Sequence, residues 1–180
     1  MEPKIKDNKK FIKSLSEGLM AYLLYLSKCR VSIAYSEYLF YEPFARMVNF
    51  KNEYSVKSEF PLKKVIKKGK SKKGDHKKID FVLFGTSNSD NEIQSVIAIE
   101  IKYTKVNNKK GLDIEKDIIK LKSFDKEYAR ENRKVEKYIF LIGEYSNDSK
   151  VAEKEGLKLF VESKYKAVNS RNYIVRVYSV

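Results

Sequence analysis

Two apolar, β-branched runs separated by a short polar cluster constrain the fold of this chain more than any other feature. The runs occupy residues 79–84 and 96–102, and the residues at 86–91 are small or polar, which is typical of a turn. We predict that the runs pair as an antiparallel hairpin. If the hairpin is symmetric about Asp90, the numbers of paired residues sum to 180, and Asp80 lies opposite Glu100.

Three charged residues interrupt these runs: Asp80, Glu100 and Lys102. Residues that face each other across such a pair have Cβ atoms about 5 Å apart, so the two acids would repel one another. Lys102 follows Glu100 by two residues and therefore lies on the same face of the strand. Two carboxylates on a half-buried hairpin destabilise it unless a cation lies between them. The pattern predicts a site for a divalent cation.

An Asp followed about twenty residues later by Glu-x-Lys in an apolar strand resembles the PD-(D/E)XK nuclease superfamily. The motif reads Ile79-Asp80 and Glu100-Ile101-Lys102, and the resemblance extends over the order of elements from about residue 32 to residue 142. The chain departs from the pattern in one position, because Ile79 replaces the proline that gives the superfamily its name. The resemblance implies an α/β, restriction-endonuclease-like fold, in which helices flank a mixed β-sheet.

The resemblance also implies an activity, a cofactor and roles for individual residues. Asp80, Glu100 and the backbone carbonyl of Ile101 would bind Mg²⁺ or Mn²⁺, and Lys102 would orient or help deprotonate the attacking water and offset charge on the phosphate. The implied function is a metal-dependent endonuclease that hydrolyses phosphodiester bonds, with DNA favoured over RNA as substrate. A toxin-like RNase of the same fold and a non-catalytic nucleic-acid-binding protein remain the alternatives.

Members of this superfamily often complete the site with an acid from an early helix. Glu37 is our first candidate, because it precedes the helix break expected at Pro43, and Glu42 is the second. Glu59, on the strand expected before the lysine-rich segment, is another possible neighbour of the site. In the helix that follows Glu-x-Lys, Asp117 and Lys120 resemble an Asp-x-x-Lys-Leu spacing found in some branches. Those two residues either touch the site or position the helix. Each of these charged residues could instead lie on an ordinary solvated face.

A lysine-rich segment at residues 63–78 precedes the strand that carries Asp80. We predict a mobile basic loop whose lysines contact phosphates without sequence preference, although such a loop could also only increase solubility. The lysines assigned to nucleic-acid binding are Lys67, Lys68, Lys70, Lys72, Lys73 and Lys77.

Composition is consistent with a basic globular protein of one domain. The 180 residues carry a net charge of +14, which indicates a polyanionic partner such as nucleic acid. Cys29 and His76 are the sole residues of their types, so no disulfide within the chain, no cysteine-based zinc site and no histidine pair can form. We expect a single nuclease domain over residues 1–180 with flexible residues 1–10. We also expect a cytoplasmic location, no membrane association and an assembly compatible with a homodimer.

Periodicity and turn residues predict the order of the remaining elements. Helices are expected at residues 14–28, at 32–49 with a break near Pro43, from residue 113 onward, and at 149–160; strands are expected at 54–60, 138–142 and 173–178, in addition to the hairpin.

Overall fold

The computed structural model describes residues 8–29, 37–49, 54–62, 78–86, 93–104, 114–128, 134–144, 153, 156–166 and 172–180. In chain order they form α1 (Asn8–Lys28), a 3-10 turn (Glu37–Phe40), α2 (Tyr41–Asn49), β1 (Tyr54–Pro61), β2 (Lys78–Thr86), β3 (Ile93–Thr104), α3 (Ile114–Tyr128), β4 (Lys134–Glu144), β5 (Lys158–Lys166) and β6 (Asn172–Ser179). None of the helices in this part of the chain is long and apolar enough to cross a membrane.

The strands form one six-stranded sheet in the order β1-β2-β3-β4-β6-β5. The first three strands make an antiparallel meander, whereas β3 and β4 run parallel and are joined through α3. Strand β6 lies between β4 and β5 and is antiparallel to both. The prediction of an α/β fold with a mixed sheet flanked by helices is therefore confirmed.

The hairpin has the register that symmetry about Asp90 predicts. Pairs from Phe81–Ile99 to Gly85–Ser95 have residue numbers that sum to 180, and the register shifts by one only at Thr86. Within the described strands the regular β2–β3 pairs end at Phe81–Ile99. Asp80 and Glu100 thus lie directly beyond the last regular pair, at the point where β2 and β3 stop pairing.

Two apolar cores cover the two faces of the sheet. One face packs under α1 and α2 through Ile97, Ile99 and Ile101 of β3. The other packs under α3 through Val96 and Ala98. Since side chains alternate along a strand, the residues at positions 100 and 102 lie on the α3 face, with Val96 and Ala98.

The helix predicted at residues 149–160 is wrong at its C-terminal end. Lys158 begins strand β5, which pairs with β6 at the edge of the sheet. Gly156 has a φ of 75°, a left-handed conformation that an α-helix does not continue through. Pairing with β6 therefore overrides the weak helical pattern of this segment.

Of the residues expected to be flexible, 8–10 form the first turn of α1. Asn8 is buried there and accepts a 2.6 Å hydrogen bond from the Tyr54 hydroxyl, and the Phe11 ring stacks on Tyr54.

At the end of the predicted lysine-rich loop, Lys78 belongs to β2, where it pairs with Pro61. Residues 63–77 lie outside the described residues.

The break expected near Pro43 is found. The 3-10 turn gives way to α2 at Tyr41, so Pro43 lies in the first turn of α2, where its missing N–H costs no helical hydrogen bond. This break places Glu37 on a separate short turn that faces the end of the hairpin.

Candidate active site

Asp80 is held at the point where β2 separates from β3. Its Oδ2 accepts a 2.7 Å hydrogen bond from the backbone N–H of Ile101, so the carboxylate takes the place of a strand partner. The Tyr41 hydroxyl donates a second hydrogen bond to Asp80; burial, followed by this contact, raises the pKa of that hydroxyl well above its usual range. Asp80 is thereby fixed between α2 and β3 with little freedom to rotate.

The backbone of Ile101 is oriented toward Asp80 as well. In an extended strand the N–H and C=O of one residue point to the same neighbouring strand. Because the Ile101 N–H donates to Asp80, the Ile101 carbonyl is directed to the same side of β3. The Ile101 carbonyl, which the sequence predicted as a ligand, therefore points to the side of β3 on which Asp80 lies.

Glu100 is fully buried, and its charge is only partly compensated. Its Oε1 lies 2.8 Å from the Lys120 ammonium, whereas its Oε2 has no hydrogen-bond partner within the described chain. Burial and then the neighbouring Asp80 raise the pKa of Glu100 to about 9, with Lys120 opposing them incompletely. At neutral pH this carboxyl retains a proton unless an additional cation is supplied.

Alternating acids and lysines link the 3-10 turn, β3 and α3. Lys102 Nζ lies 3.2 Å from a Glu37 oxygen and 3.1 Å from Asp117 Oδ2. The other oxygen of Asp117 lies 2.6 Å from Lys120 Nζ, which in turn contacts Glu100. Asp117 is buried between the two lysines and therefore fixes both ammonium groups relative to β3.

The charges of this cluster do not balance. Four carboxylates (Glu37, Asp80, Glu100 and Asp117) face two ammonium groups (Lys102 and Lys120), so the fully ionised cluster has a net charge of 2 − 4 = −2. Uncompensated buried charge is costly, and a divalent cation would neutralise it. Oε2 of Glu100 is buried and has no hydrogen-bond partner among the described residues, so a cation bound there would relieve the largest part of this cost.

The donor set fits a hard cation that keeps part of its water. Nowhere in the described ranges do three or more Asp, Glu, His or Cys side chains form a group that could hold a metal ion. Two carboxylates and one carbonyl are offered instead, by Asp80, Glu100 and Ile101. Mg²⁺ is commonly bound by one or two carboxylates, with water in the remaining positions.

Lys102 is a cation in this setting. Burial lowers its pKa, but the ion pairs with Asp117 and Glu37 outweigh burial and raise the net pKa above the ordinary value for lysine. An ammonium group donates hydrogen bonds and accepts none. This charge state favours a role in binding a phosphate oxygen or orienting water over the deprotonation of water that the sequence left open.

The three candidate acids Glu37, Glu42 and Glu59 differ in their contacts. Glu42 is exposed and pairs with Arg46 at 2.7 Å, and Glu59 pairs with Lys78 at 2.9 Å. Only Glu37, of the three, contacts Lys102. The lysines assigned to phosphate binding, Lys67, Lys68, Lys70, Lys72, Lys73 and Lys77, lie outside the described residues.

Sequence reasoning missed Tyr41 as a partner of Asp80. The two residues are 39 positions apart, and their contact depends on how α2 packs over β2. From the sequence, Asp117 and Lys120 could either contact the site or only position the helix. In the structure Asp117 contacts Lys102, and Lys120 contacts Glu100. The signal for both residues was their Asp-x-x-Lys-Leu spacing in the helix that follows Glu-x-Lys.

Comparisons with known proteins leave the family open. No protein-family model and no curated protein matches the chain. One solved structure with some similarity is the crystal structure of NAA60 from Arabidopsis thaliana in complex with a bisubstrate analogue; it is 12% identical, the match covers 91% of this chain and 94% of that one, and the TM-score is 0.29. No inference about fold or activity follows from a TM-score this low.

Proposed function

We propose that the chain is a metal-dependent nuclease of restriction-endonuclease-like fold that hydrolyses phosphodiester bonds in DNA. The observation that carries the proposal is Glu100, a buried carboxyl beside Asp80 with an oxygen that has no hydrogen-bond partner in the described chain. Burial of an acid in this way destabilises the fold unless the acid keeps its proton or a cation completes the site, and a cation is the option that also supports chemistry. Lys102, two residues later, adds the positive charge that a phosphate substrate needs.

Asp80, Glu100 and the carbonyl of Ile101 would hold Mg²⁺ or Mn²⁺. When bound, such an ion supplies stabilisation of charge on the phosphoryl oxygens and activation of water. The protein fixes the ligands beforehand, because the Ile101 N–H and the Tyr41 hydroxyl both bind Asp80. Glu100 must lose its proton for this role, which the positive charge of the ion favours.

Lys102 would bind the scissile phosphate and offset the negative charge that develops there. Its ammonium is held between Glu37 and Asp117, so its position is set before substrate arrives. Lys120 plays a related part by compensating Glu100 and Asp117 in the free protein. These contacts make Glu37 and Asp117 positioning residues in the proposal.

The net charge of +14 supports nucleic acid as the substrate. The lysine-rich segment at residues 63–77 leads directly into β2, so phosphates bound by that segment would be delivered close to Asp80. The same charge also favours a second candidate function, a nucleic-acid-binding protein without catalysis. The two differ in one readout, which is whether phosphodiester bonds are broken.

A substrate panel tests the proposal. Purified protein is incubated with supercoiled plasmid, linear duplex, single-stranded DNA and tRNA, each with Mg²⁺, Mn²⁺ or EDTA. We expect cleavage of DNA with either metal and none with EDTA. Cleavage of tRNA alone would identify the RNase alternative, and binding without cleavage under every condition would identify the non-catalytic one.

A further inference from the structure

Tyr38 lies beside the candidate site with most of its ring exposed. It follows Glu37 in the 3-10 turn and is 68% exposed, more than any other large hydrophobic residue in the part of the chain that the structure describes. Packing within the protein therefore uses only a minor part of its surface. Proteins that bind single-stranded nucleic acid commonly stack bases on exposed aromatic rings beside their phosphate contacts.

The Tyr38 ring is supported from beneath. Its centroid lies 5.0 Å from that of Tyr41 at an interplanar angle of 58°, and Tyr41 in turn packs on Phe81 at 4.9 Å. The hydroxyl of Tyr41 binds Asp80. Tyr38 is thus separated from the proposed cation ligand Asp80 by a single tyrosine side chain.

A positively charged side chain lies near the Tyr38 ring. Lys78 is close enough to Tyr38 for the two to interact electrostatically, and its side chain is 48% exposed although it also contacts Glu59. A ring with an adjacent ammonium matches a nucleotide, since the base can stack on the ring while the phosphate meets the lysine. Tyr165, by contrast, is an exposed tyrosine on β5 at the opposite edge of the sheet from β1 and β2.

We propose that Tyr38 stacks on an unpaired base next to the scissile phosphate, so that the preferred substrate is single-stranded at that position. This inference rests on the proposed nuclease function and specifies its substrate. Inside a continuous duplex both faces of each base are covered by neighbouring bases, and a protein ring can stack only at an end, a flap, a flipped base or a single strand. A preference for such substrates follows.

Binding measured without metal tests the inference separately from cleavage. Fluorescence anisotropy in EDTA compares a single-stranded oligonucleotide with the matching duplex for the wild type, Tyr38→Phe, Tyr38→Ala and the control Tyr165→Ala. We expect Tyr38→Ala to weaken single-strand binding on the order of tenfold, and Tyr38→Phe, which keeps the ring, to bind like the wild type. Duplex binding should change little in all variants, and Tyr165→Ala should match the wild type.

A base analogue gives a second readout. An oligonucleotide carrying 2-aminopurine should lose fluorescence on binding to the wild type and to Tyr38→Phe, and lose less on binding to Tyr38→Ala. Equal single-strand affinity and equal quenching for Tyr38→Ala and the wild type would overturn the stacking role and leave the nuclease proposal standing. A wild type that binds no nucleic acid either in EDTA or with Mg²⁺ would overturn both.

Discussion

At the scale of single residues, the candidate site depends on how much negative charge the end of β3 can hold. Glu100 is buried with Asp80 and Asp117 as acidic neighbours, and Lys120 provides the compensating ammonium. The free protein can reduce the excess negative charge by keeping a proton on Glu100. A bound divalent cation can reduce it instead by replacing that proton. The stability of the protein should therefore depend differently on pH in the metal-free state and in the cation-bound state.

We expect the stability of the metal-free protein to fall as pH rises from the ordinary pKa of Glu100, 4.5, towards about 9. In that window the unfolded chain has released the Glu100 proton while the folded protein retains it, so raising the pH favours unfolding. Glu100→Gln keeps the shape of the side chain and removes this titration. Thermal unfolding in EDTA across the window should therefore show a flatter pH dependence for Glu100→Gln than for the wild type.

An identical pH dependence for the two proteins would show that Glu100 is already ionised in the free fold. The matched control is Glu115→Gln, an exposed acid on α3, which should follow the wild type.

Glu37 and Glu42 allow a comparison between an acid that we propose positions Lys102 and an exposed acid in the same region. Glu37 contacts Lys102 at 3.2 Å, whereas Glu42 contacts Arg46 at the surface. Mutation of a residue that orients a metal ligand typically costs about 10- to 100-fold in affinity or activity, and we expect a similar loss of activity for the residue that orients Lys102. Glu37→Gln should lower kcat by about that factor with little change in KM, and Glu42→Gln should have wild-type kinetics; equal kinetics for both variants would remove Glu37 from the site.

At the scale of elements, α3 matters because one of its buried residues holds two lysines. Asp117 contacts Lys102 with one oxygen and Lys120 with the other. The crossover from β3 to β4 brings α3 over the β3 side chains at positions 100 and 102. The helix is thus part of the site and not only a cover for the apolar core.

Asp117→Asn should release both ammonium groups from their present positions. We expect cleavage to fall by a factor on the order of 10², since each lysine is deprived of a charged partner, together with a lower Tm. Glu115→Gln on the exposed face of the same helical turn should retain wild-type cleavage and Tm. Wild-type cleavage by Asp117→Asn would show that Glu37 alone positions Lys102.

The elements also show which parts of the fold the sequence could predict. The hairpin register followed from two apolar runs and one turn, which are local features, so the sequence could place Asp80 opposite Glu100, but it did not show that regular pairing ends at Phe81–Ile99. The contact between Tyr41 and Asp80 depends on packing between distant segments and left no local pattern. Strand β5 was missed because an edge strand forms its hydrogen bonds with β6, and its own residues carry a weak strand pattern.

At the scale of the whole molecule, the charge of +14 predicts binding that weakens with salt. We expect the substitution of Lys67, Lys68, Lys70, Lys72 and Lys73 by Gln to weaken binding evenly across sequences. Each lysine–phosphate interaction that is removed should reduce the slope of log affinity against log salt by about 0.7 for single strands or about 0.9 for duplex. Cleavage at saturating substrate should change less, because no lysine of this segment is assigned to the chemistry.

A control for charge alone is available. The exposed lysines Lys9, Lys13, Lys28, Lys134 and Lys158 lie on other elements, and their substitution by Gln lowers the net charge by the same amount. A salt slope that responds equally to both sets would mean that the segment at residues 63–77 makes no contact of its own.

The central claim is that Asp80, Glu100 and Lys102 form one metal-dependent nuclease centre. The most direct test is cleavage of supercoiled plasmid in Mg²⁺ by the wild type, Asp80→Asn, Glu100→Gln and Lys102→Met, with Glu42→Gln as the control. We predict cleavage by the wild type and the control, and rates lower by a factor on the order of 10² or more in each of the three site variants, with all five proteins folded by circular dichroism. Wild-type cleavage by a folded Asp80→Asn or Glu100→Gln protein would contradict the account.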